Sequence, residues 1–176
     1  MHELVVLPPA NCGTHCWGAL DEAQACDWLG MHTLDDNPTE GIVLVDVPSR
    51  WGRFGVAPNT AGSFAGFEFK VDALANQLNL TEIENVRDVT FGLGDLTLDP
   101  SVPVTLNLGT SDPNGSCIVI HSAASRPISV HRGTTSLSED CSGTAAGPTW
   151  CYFTADQELH IYEPGGSGTQ SWLVEF

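Results

Sequence analysis

The strongest structural signal in this sequence is the segment VPVTLNLGTSDPNGSCIVIHS, residues 102–122. Apolar and polar residues alternate on both sides of its centre, and this period of two buries one face of a β-strand while the other face stays in water. Between the two alternating runs, Asp112-Pro113-Asn114-Gly115 offers the residues that a type I turn favours. The segment therefore predicts a β-hairpin, with its core-facing residues at Val102, Val104, Leu106, Leu108, Ile118 and Ile120.

The same alternation recurs along the rest of the chain, in short runs separated by turns that contain glycine or proline. The runs lie at residues 42–47, 67–71, 89–98, 128–131, 150–154, 159–162 and 171–176. They predict roughly eight to eleven strands and an all-β fold, either an antiparallel β-sandwich or a jelly roll, with a closed barrel as the alternative. We expect residues 1–176 to form one domain, with 8–36 as an irregular covering segment that contains three cysteines.

The charge of the chain is strongly negative. Twenty-two acidic residues stand against six basic ones, Lys70 is the only lysine, and the formal net charge is −16. Such a field repels nucleic acid, whose duplex has one negative charge about every 1.7 Å, and it repels anionic membranes. The sequence contains no apolar run near the roughly 18 residues of a membrane span, so we predict neither a nucleic-acid partner nor membrane insertion.

Six cysteines form an early and a late group: Cys12, Cys16 and Cys26, and then Cys117, Cys141 and Cys151. If all six pair within one chain, at least one disulfide joins the two groups, because three is odd. The early spacing also permits a zinc site with His15 or His32, and buried free thiols are the third alternative.

Disulfides would place the chain in an oxidising compartment, so we predict an extracellular or virion location. Residues 2–8 lack the basic region and the apolar length of a signal peptide. A signal peptide has therefore either been removed or is not used.

Metal-ligating residues give weaker signals. His121, His131 and His160 all point away from the core if the alternation holds, and on neighbouring strands they would converge as zinc or copper ligands. Loop carboxylates at 35–40 and 95–99 offer oxygen ligands for calcium, but without the spacing of an EF-hand. Solvated side chains are the simpler explanation of both patterns, so we predict no metal and no other cofactor.

Catalytic motifs are absent from the sequence, which has no nucleophile elbow, no P-loop and no dinucleotide-binding glycine turn. Glu82 and Glu84 share a strand face and are the carboxylate pair that a glycosidase would need. The sequence nevertheless predicts a non-enzymatic protein.

Aromatic and basic residues come together between Ser49 and Ser63, a segment predicted to be a loop. Trp51 and Phe54 lie there beside Arg50 and Arg53, and these residues are the predicted binding site. Exposed aromatic rings stack on sugars or anchor a partner protein. The alternative is that the rings cover the open end of the sandwich.

These observations predict a protein that works by contact. The leading hypothesis is a non-enzymatic structural or adhesive subunit of an extracellular assembly, such as a virion decoration, capsid or tail component, or a surface filament. Its partners would be copies of itself or other assembly subunits. The alternatives are a carbohydrate-binding module that uses the exposed aromatics, with glycans as partners, and a secreted enzyme with a metal or carboxylate site.

Overall fold

The computed structural model describes residues 38–110, 112–142, 147–166 and 168–176, without the side chain of Trp51. These residues all belong to the unit Asn37–Phe176. They form thirteen strands: β1 (Glu40–Val45), β2 (Ser49–Trp51), β3 (Phe54–Pro58), β4 (Ala65–Asp72), β5 (Gln77–Glu84), β6 (Val86–Gly92), β7 (Val104–Thr110), β8 (Ser116–His121), β9 (Ser129–Arg132), β10 (Thr135–Ser136), β11 (Thr149–Phe153), β12 (Glu158–Glu163) and β13 (Gln170–Glu175). A short 3-10 helix, Gly94–Leu96, follows β6. The predicted covering segment 8–36 lies outside the described residues.

Two sheets pack face to face. Sheet A has the order β1-β4-β5-β7-β13-β9-β10, and sheet B has the order β11-β12-β8-β6-β3-β2. This arrangement confirms the predicted all-β sandwich. The sheets are mixed rather than purely antiparallel, because β5 runs parallel to β7 and β6 runs parallel to β8.

The segment 102–122 forms both of its predicted strands and its turn, but it is not a hairpin. The amide of Gly115 donates to the carbonyl of Asp112 at 3.0 Å, and the Asp112 carboxylate accepts from the amide of Asn114 at 2.8 Å. However, β7 pairs with β5 and β13 in sheet A, whereas β8 pairs with β6 and β12 in sheet B. The hairpin prediction is therefore wrong, since the turn takes the chain across the core from one sheet to the other.

The core is centred on aromatic rings from both sheets. Phe54 of sheet B lies with its ring centroid 5.4 Å from Phe67 and 4.9 Å from Phe69 of sheet A. It also contacts Phe91 of its own sheet at 5.9 Å. Within the described residues, no helix is long and apolar enough to cross a membrane.

A buried polar group joins the sheets at the end of β12. Glu163 accepts from Arg132 of β9 through both carboxylate oxygens, at 2.9 Å and 2.7 Å. One of these oxygens also accepts from the indole nitrogen of the buried Trp172 on β13 at 2.7 Å. The hydrogen bonds that Arg132 donates to Glu163 raise the pKa of the guanidinium, which therefore stays charged.

Candidate functional site

The predicted aromatic loop is a pair of strands, β2 and β3, at one edge of sheet B. Phe54 begins β3 and is only 1% exposed, which corrects its prediction as a surface platform. Its ring lies in the phenylalanine cluster between the sheets and is not available to a sugar or a partner. The side chain of Trp51 lies outside the described residues, and its role as a binding residue stays a prediction.

The two arginines of the same segment differ in their contacts. Arg50 is exposed and donates to the carbonyl of Gly52 at 3.2 Å. Arg53 donates to the carbonyl of Asp95 at 2.7 Å and also to the carbonyl of Pro38. Arg53, which immediately precedes β3, therefore connects the residues before β1 to the 3-10 helix. Of the two arginines, Arg50 is the one whose side chain is exposed.

The three histidines do not converge, which corrects the three-histidine metal hypothesis. His121 and His160 lie on adjacent strands of sheet B, whereas His131 lies on β9 of sheet A. His121 Nε2 lies 3.7 Å from a carboxylate oxygen of Asp95. Each histidine faces outward from its own sheet, so His131 lies on the opposite side of the sandwich from the other two.

Carboxylates of the predicted calcium loops contact other groups of the protein. Residues 35–37 lie outside the described residues, and Glu40 lies 3.5 Å from Lys70 in an exposed ion pair. The Asp99 carboxylate accepts from the amide of Ser101 at 2.8 Å, and hydrogen bonds from Ser101 lower the pKa of Asp99. Asp99 is therefore a turn-forming group, and Glu40 is the partner of Lys70 on the surface of sheet A.

The late cysteines divide into one disulfide and one free thiol. Cys141 and Cys151 are bonded to each other, and Cys117 is free and partly buried. The three early cysteines lie outside the described residues. Since Cys117 was the late cysteine left to bridge the two groups, the six cysteines do not all pair within the chain.

One set of three close metal-ligand side chains occurs in the described part of the chain, namely Glu139, Cys141 and Cys151. Its two sulfurs are bonded to each other, and Glu139 forms an ion pair with Arg126 and accepts from the amide of Tyr152 at 2.9 Å. In this oxidised form the set stabilises the loop and offers no thiolate ligand.

Cys117 belongs to a second polar cluster, on the outer face of sheet B. Its sulfur lies 4.0 Å from Nδ1 of His160, and Nε2 of His160 lies 3.0 Å from a carboxylate oxygen of Glu158. Burial, and then the charges of Asp88 and Glu158, raise the pKa of the Cys117 thiol to about 12. The order of groups resembles a Cys-His-acid triad, but the thiol is protonated at neutral pH and is a weak nucleophile.

The outer face of sheet A has a shallow depression at its β1 edge, which we call the edge depression. Its volume is about 280 Å³, and it is lined by Ile42, Val43, Leu44, Gly66, Phe67, Glu68, Glu82 and Glu84. A Cβ atom at Gly66 would lie 2.6 Å from the carbonyl oxygen of Val43, so this position must remain glycine for β1 and β4 to pair this closely.

Apolar side chains are unusually exposed along this edge. Ile42 is 66% exposed and Leu44 is 61% exposed, both on the outer side of β1. Val47 and Phe64, at the adjoining ends of β1 and β4, are also exposed. We call these four residues the edge patch.

A bulge in β5 places the acidic rim of the depression. Glu82 has a φ of 51°, a left-handed conformation that is uncommon for a residue other than glycine. It is the extra residue between Leu80 and Ile83, both buried, and the register with β7 shifts there. The bulge was missed in the sequence, although its signal is visible because apolar residues at 78, 80 and 83 break the period of two.

Two smaller depressions continue from the first along sheet A. The second, of about 190 Å³, shares Glu82 with the edge depression, and the third, of about 80 Å³, shares Thr110 with the second. Thr110 is 4% exposed, and its hydroxyl has no hydrogen-bond partner. Arg132 and Gln170 also line the third depression.

No family model matches the sequence, and the comparison with curated proteins gives no match. Among solved structures, the GH31 dextranase of Flavobacterium johnsoniae complexed with glucose aligns with a TM-score of 0.38 and 7% identity over 77% of this chain. A variant of the same dextranase complexed with isomaltotriose aligns with a TM-score of 0.36 and 8% identity over 77% of this chain. The alignments span 26% and 24% of those chains, and a likeness this weak assigns neither fold nor activity.

Proposed function

We propose that this chain is a non-enzymatic structural or adhesive subunit of an extracellular assembly, and that it binds a neighbouring subunit through the edge patch. The observation that carries the proposal is the exposure of Ile42 and Leu44 on an edge strand. Natural sheets commonly protect such edges with lysine, proline or a covering segment. Here two of the three outward positions of β1 are aliphatic, the third being Glu40, and within the described residues β1 pairs with β4 alone.

The partner's chemistry follows from the charge around the patch. The edge depression is lined by Ile42 and Leu44 and also by three carboxylates, those of Glu68, Glu82 and Glu84. The whole chain has a net charge of −16, so a second copy would be repelled at this face. The occupant that fits is an extended segment of another subunit that alternates basic and apolar side chains and adds to the edge of sheet A.

The binding free energy of the contact can be estimated from the exposed aliphatic side chains. Fully burying an exposed leucine or isoleucine contributes roughly 1.5–3 kcal/mol. Since Ile42 and Leu44 are each about two-thirds exposed, their burial by a partner contributes roughly 1–2 kcal/mol each. Replacing both should weaken binding at least tenfold.

The experiment uses a synthetic peptide of about ten residues that alternates lysine and valine, labelled for fluorescence anisotropy. We expect the wild-type chain to bind it, Ile42→Ser/Leu44→Ser to bind at least tenfold more weakly, and added salt to weaken binding. Leu74→Ser is the matched control, because Leu74 is fully exposed outside the patch. Equal binding of a glutamate–valine peptide, or equal binding by the patch variant, would contradict the proposal.

Carbohydrate binding is a second candidate, favoured by the hydroxyl of Thr110. This buried hydroxyl has no hydrogen-bond partner in the described part of the chain, and Thr110 lines two connected depressions, the smaller of which is also lined by Arg132 and Gln170. A hydroxyl, a guanidinium and an amide together suit the hydroxyl groups of a sugar. A glycan array probed with the wild type and with Thr110→Val tests this candidate, which requires a signal that the variant loses.

A further inference from the structure

A sulfur and a ring nitrogen face each other on the outer side of sheet B, on the side of the sandwich away from the edge patch. Cys117 lies on β8 and His160 on the adjacent β12, two residues apart in register and on the same face, because His160 pairs with Val119. The distance from Sγ to Nδ1 is 4.0 Å. Cys117 is partly exposed, so an ion has access to the pair.

Glu158 determines which tautomer the neutral imidazole of His160 adopts. Nε2 lies 3.0 Å from a carboxylate oxygen of Glu158, and a carboxylate can only accept, so Nε2 holds the proton. The lone pair is therefore on Nδ1, on the side that faces Cys117. A carboxylate behind a histidine in this way is the usual outer partner of a metal-bound imidazole.

The cluster is also held in place before any ligand arrives. The ring of Phe153 contacts the ring of His160 edge-on, at a centroid distance of 4.7 Å. Both ligand residues sit on paired central strands of a packed sheet, which fixes their backbones. Preorganisation of this kind lowers the entropy lost on binding.

We propose that Cys117 and His160 form a binding site for one thiophilic cation, and that copper(I) is the ion that fits the pair best. With the metal–sulfur and metal–nitrogen distances of about 2.3 and 2.0 Å that zinc shows, an ion bridging the 4.0 Å gap has a sulfur–metal–nitrogen angle of about 137°. That angle is wider than tetrahedral and suits an ion with few ligands. A thiolate with an imidazole is a soft donor set that selects copper(I) over calcium or magnesium.

The surrounding charge favours a cation at this point. Asp88 is the cross-strand neighbour of Cys117 on β6, and Glu158 lies behind the imidazole. On binding, the thiol loses its proton to solvent and a sulfur–copper bond forms, while the ion remains copper(I). The site therefore gains no net charge, and no oxidant or reductant is needed.

The test is an anaerobic competition between the full chain and bicinchoninate for copper(I), with ascorbate to keep the ion reduced. We expect the wild type to take up one equivalent more than Cys117→Ser. His160→Gln should lose at least tenfold in affinity for that equivalent, and Glu158→Gln should lose about 10- to 100-fold, as is typical for a group behind a metal ligand. X-ray absorption of the copper-loaded wild type should show nitrogen as well as sulfur at the metal.

His131→Gln is the matched control, since His131 lies on sheet A and is remote from any cysteine of sheet B. The early cysteines are present in every variant, so only the difference between variants reports on this site. Equal uptake by the wild type and Cys117→Ser would overturn the proposal. Unchanged affinity in His160→Gln would overturn it as well, and that variant keeps the test valid if the serine variant fails to fold.

Discussion

The carboxylate of Glu163 is the group whose replacement tests the packing of the two sheets most directly. It is almost completely buried on sheet B and accepts three hydrogen bonds from sheet A, two from Arg132 and one from Trp172. Glu163→Gln keeps the volume of the side chain but removes its charge and one acceptor oxygen. At least one donor is then left facing an amide nitrogen that cannot accept.

The expected loss of stability is worked from these contacts. Breaking a fully buried ion pair on one side costs about 3–5 kcal/mol. The Arg132 side chain is 26% exposed, so water partly solvates its charge when the partner is removed, and the loss of the ion pair costs less than that. An unpaired buried donor costs about 1–3 kcal/mol, so we expect Glu163→Gln to lower the free energy of unfolding by about 2–4 kcal/mol in total.

Urea unfolding at 25 °C, followed by tryptophan fluorescence with the disulfide intact, measures this loss. Glu40→Gln is the control, because its ion pair with Lys70 is exposed on both sides and contributes at most about 1 kcal/mol. The double variant Glu163→Gln/Arg132→Met should be more stable than the sum of the single losses, by at least about 1 kcal/mol. A loss below about 0.5 kcal/mol in Glu163→Gln, or no coupling in the double variant, would refute the reasoning.

Three further substitutions have expected outcomes. Phe54→Ala should lower unfolding stability by about 3–5 kcal/mol in urea, because it empties the phenylalanine cluster; a loss under 1 kcal/mol would contradict the core position. Cys141→Ser/Cys151→Ser should lose about 2–3 kcal/mol, since the bond closes a short loop across a sequence separation of 10. The wild-type Cys117 thiol has a pKa of about 12 when folded against 9.0 unfolded, so the unfolded chain ionises first and the free energy of unfolding falls as the pH rises between those values. In Cys117→Ser, the free energy of unfolding should fall less than in the wild type over the same pH range.

The alternation of side chains in residues 102–122 predicted burial correctly except at Val102, which precedes β7 and is 47% exposed, and it did not predict the pairing. Leu106, Leu108, Ile118 and Ile120 all face the core, as expected. A hairpin and a turn that crosses between sheets bury the same alternate positions, and both accept the same turn residues. Which arrangement forms depends on distant strands, here β12 and β13, whose pairing with β8 and β7 leaves no mark within the segment.

Phe54 was misplaced because its neighbours in the sequence are polar. Arg50, Gly52 and Arg53 suggested a surface loop, yet Phe54 and Val56 alternate with Gly55 and Ala57 and are both buried. A five-residue strand gives only two or three inward positions, which is too short for the period to outweigh composition. The pairing of β3 with β6, a distant segment, decides the orientation of the ring.

The positions available for function in this fold are those that the core does not use. On sheet A they combine aliphatic side chains at an edge with a bulged glutamate, and on sheet B they combine a thiol with an imidazole. The left-handed conformation of Glu82 costs about 1 kcal/mol or more, and the strand would pair more regularly without this residue. Deleting Glu82 should restore a regular strand with Ile83 still facing the core, so the bulge adds an acidic side chain to the rim without moving the core positions.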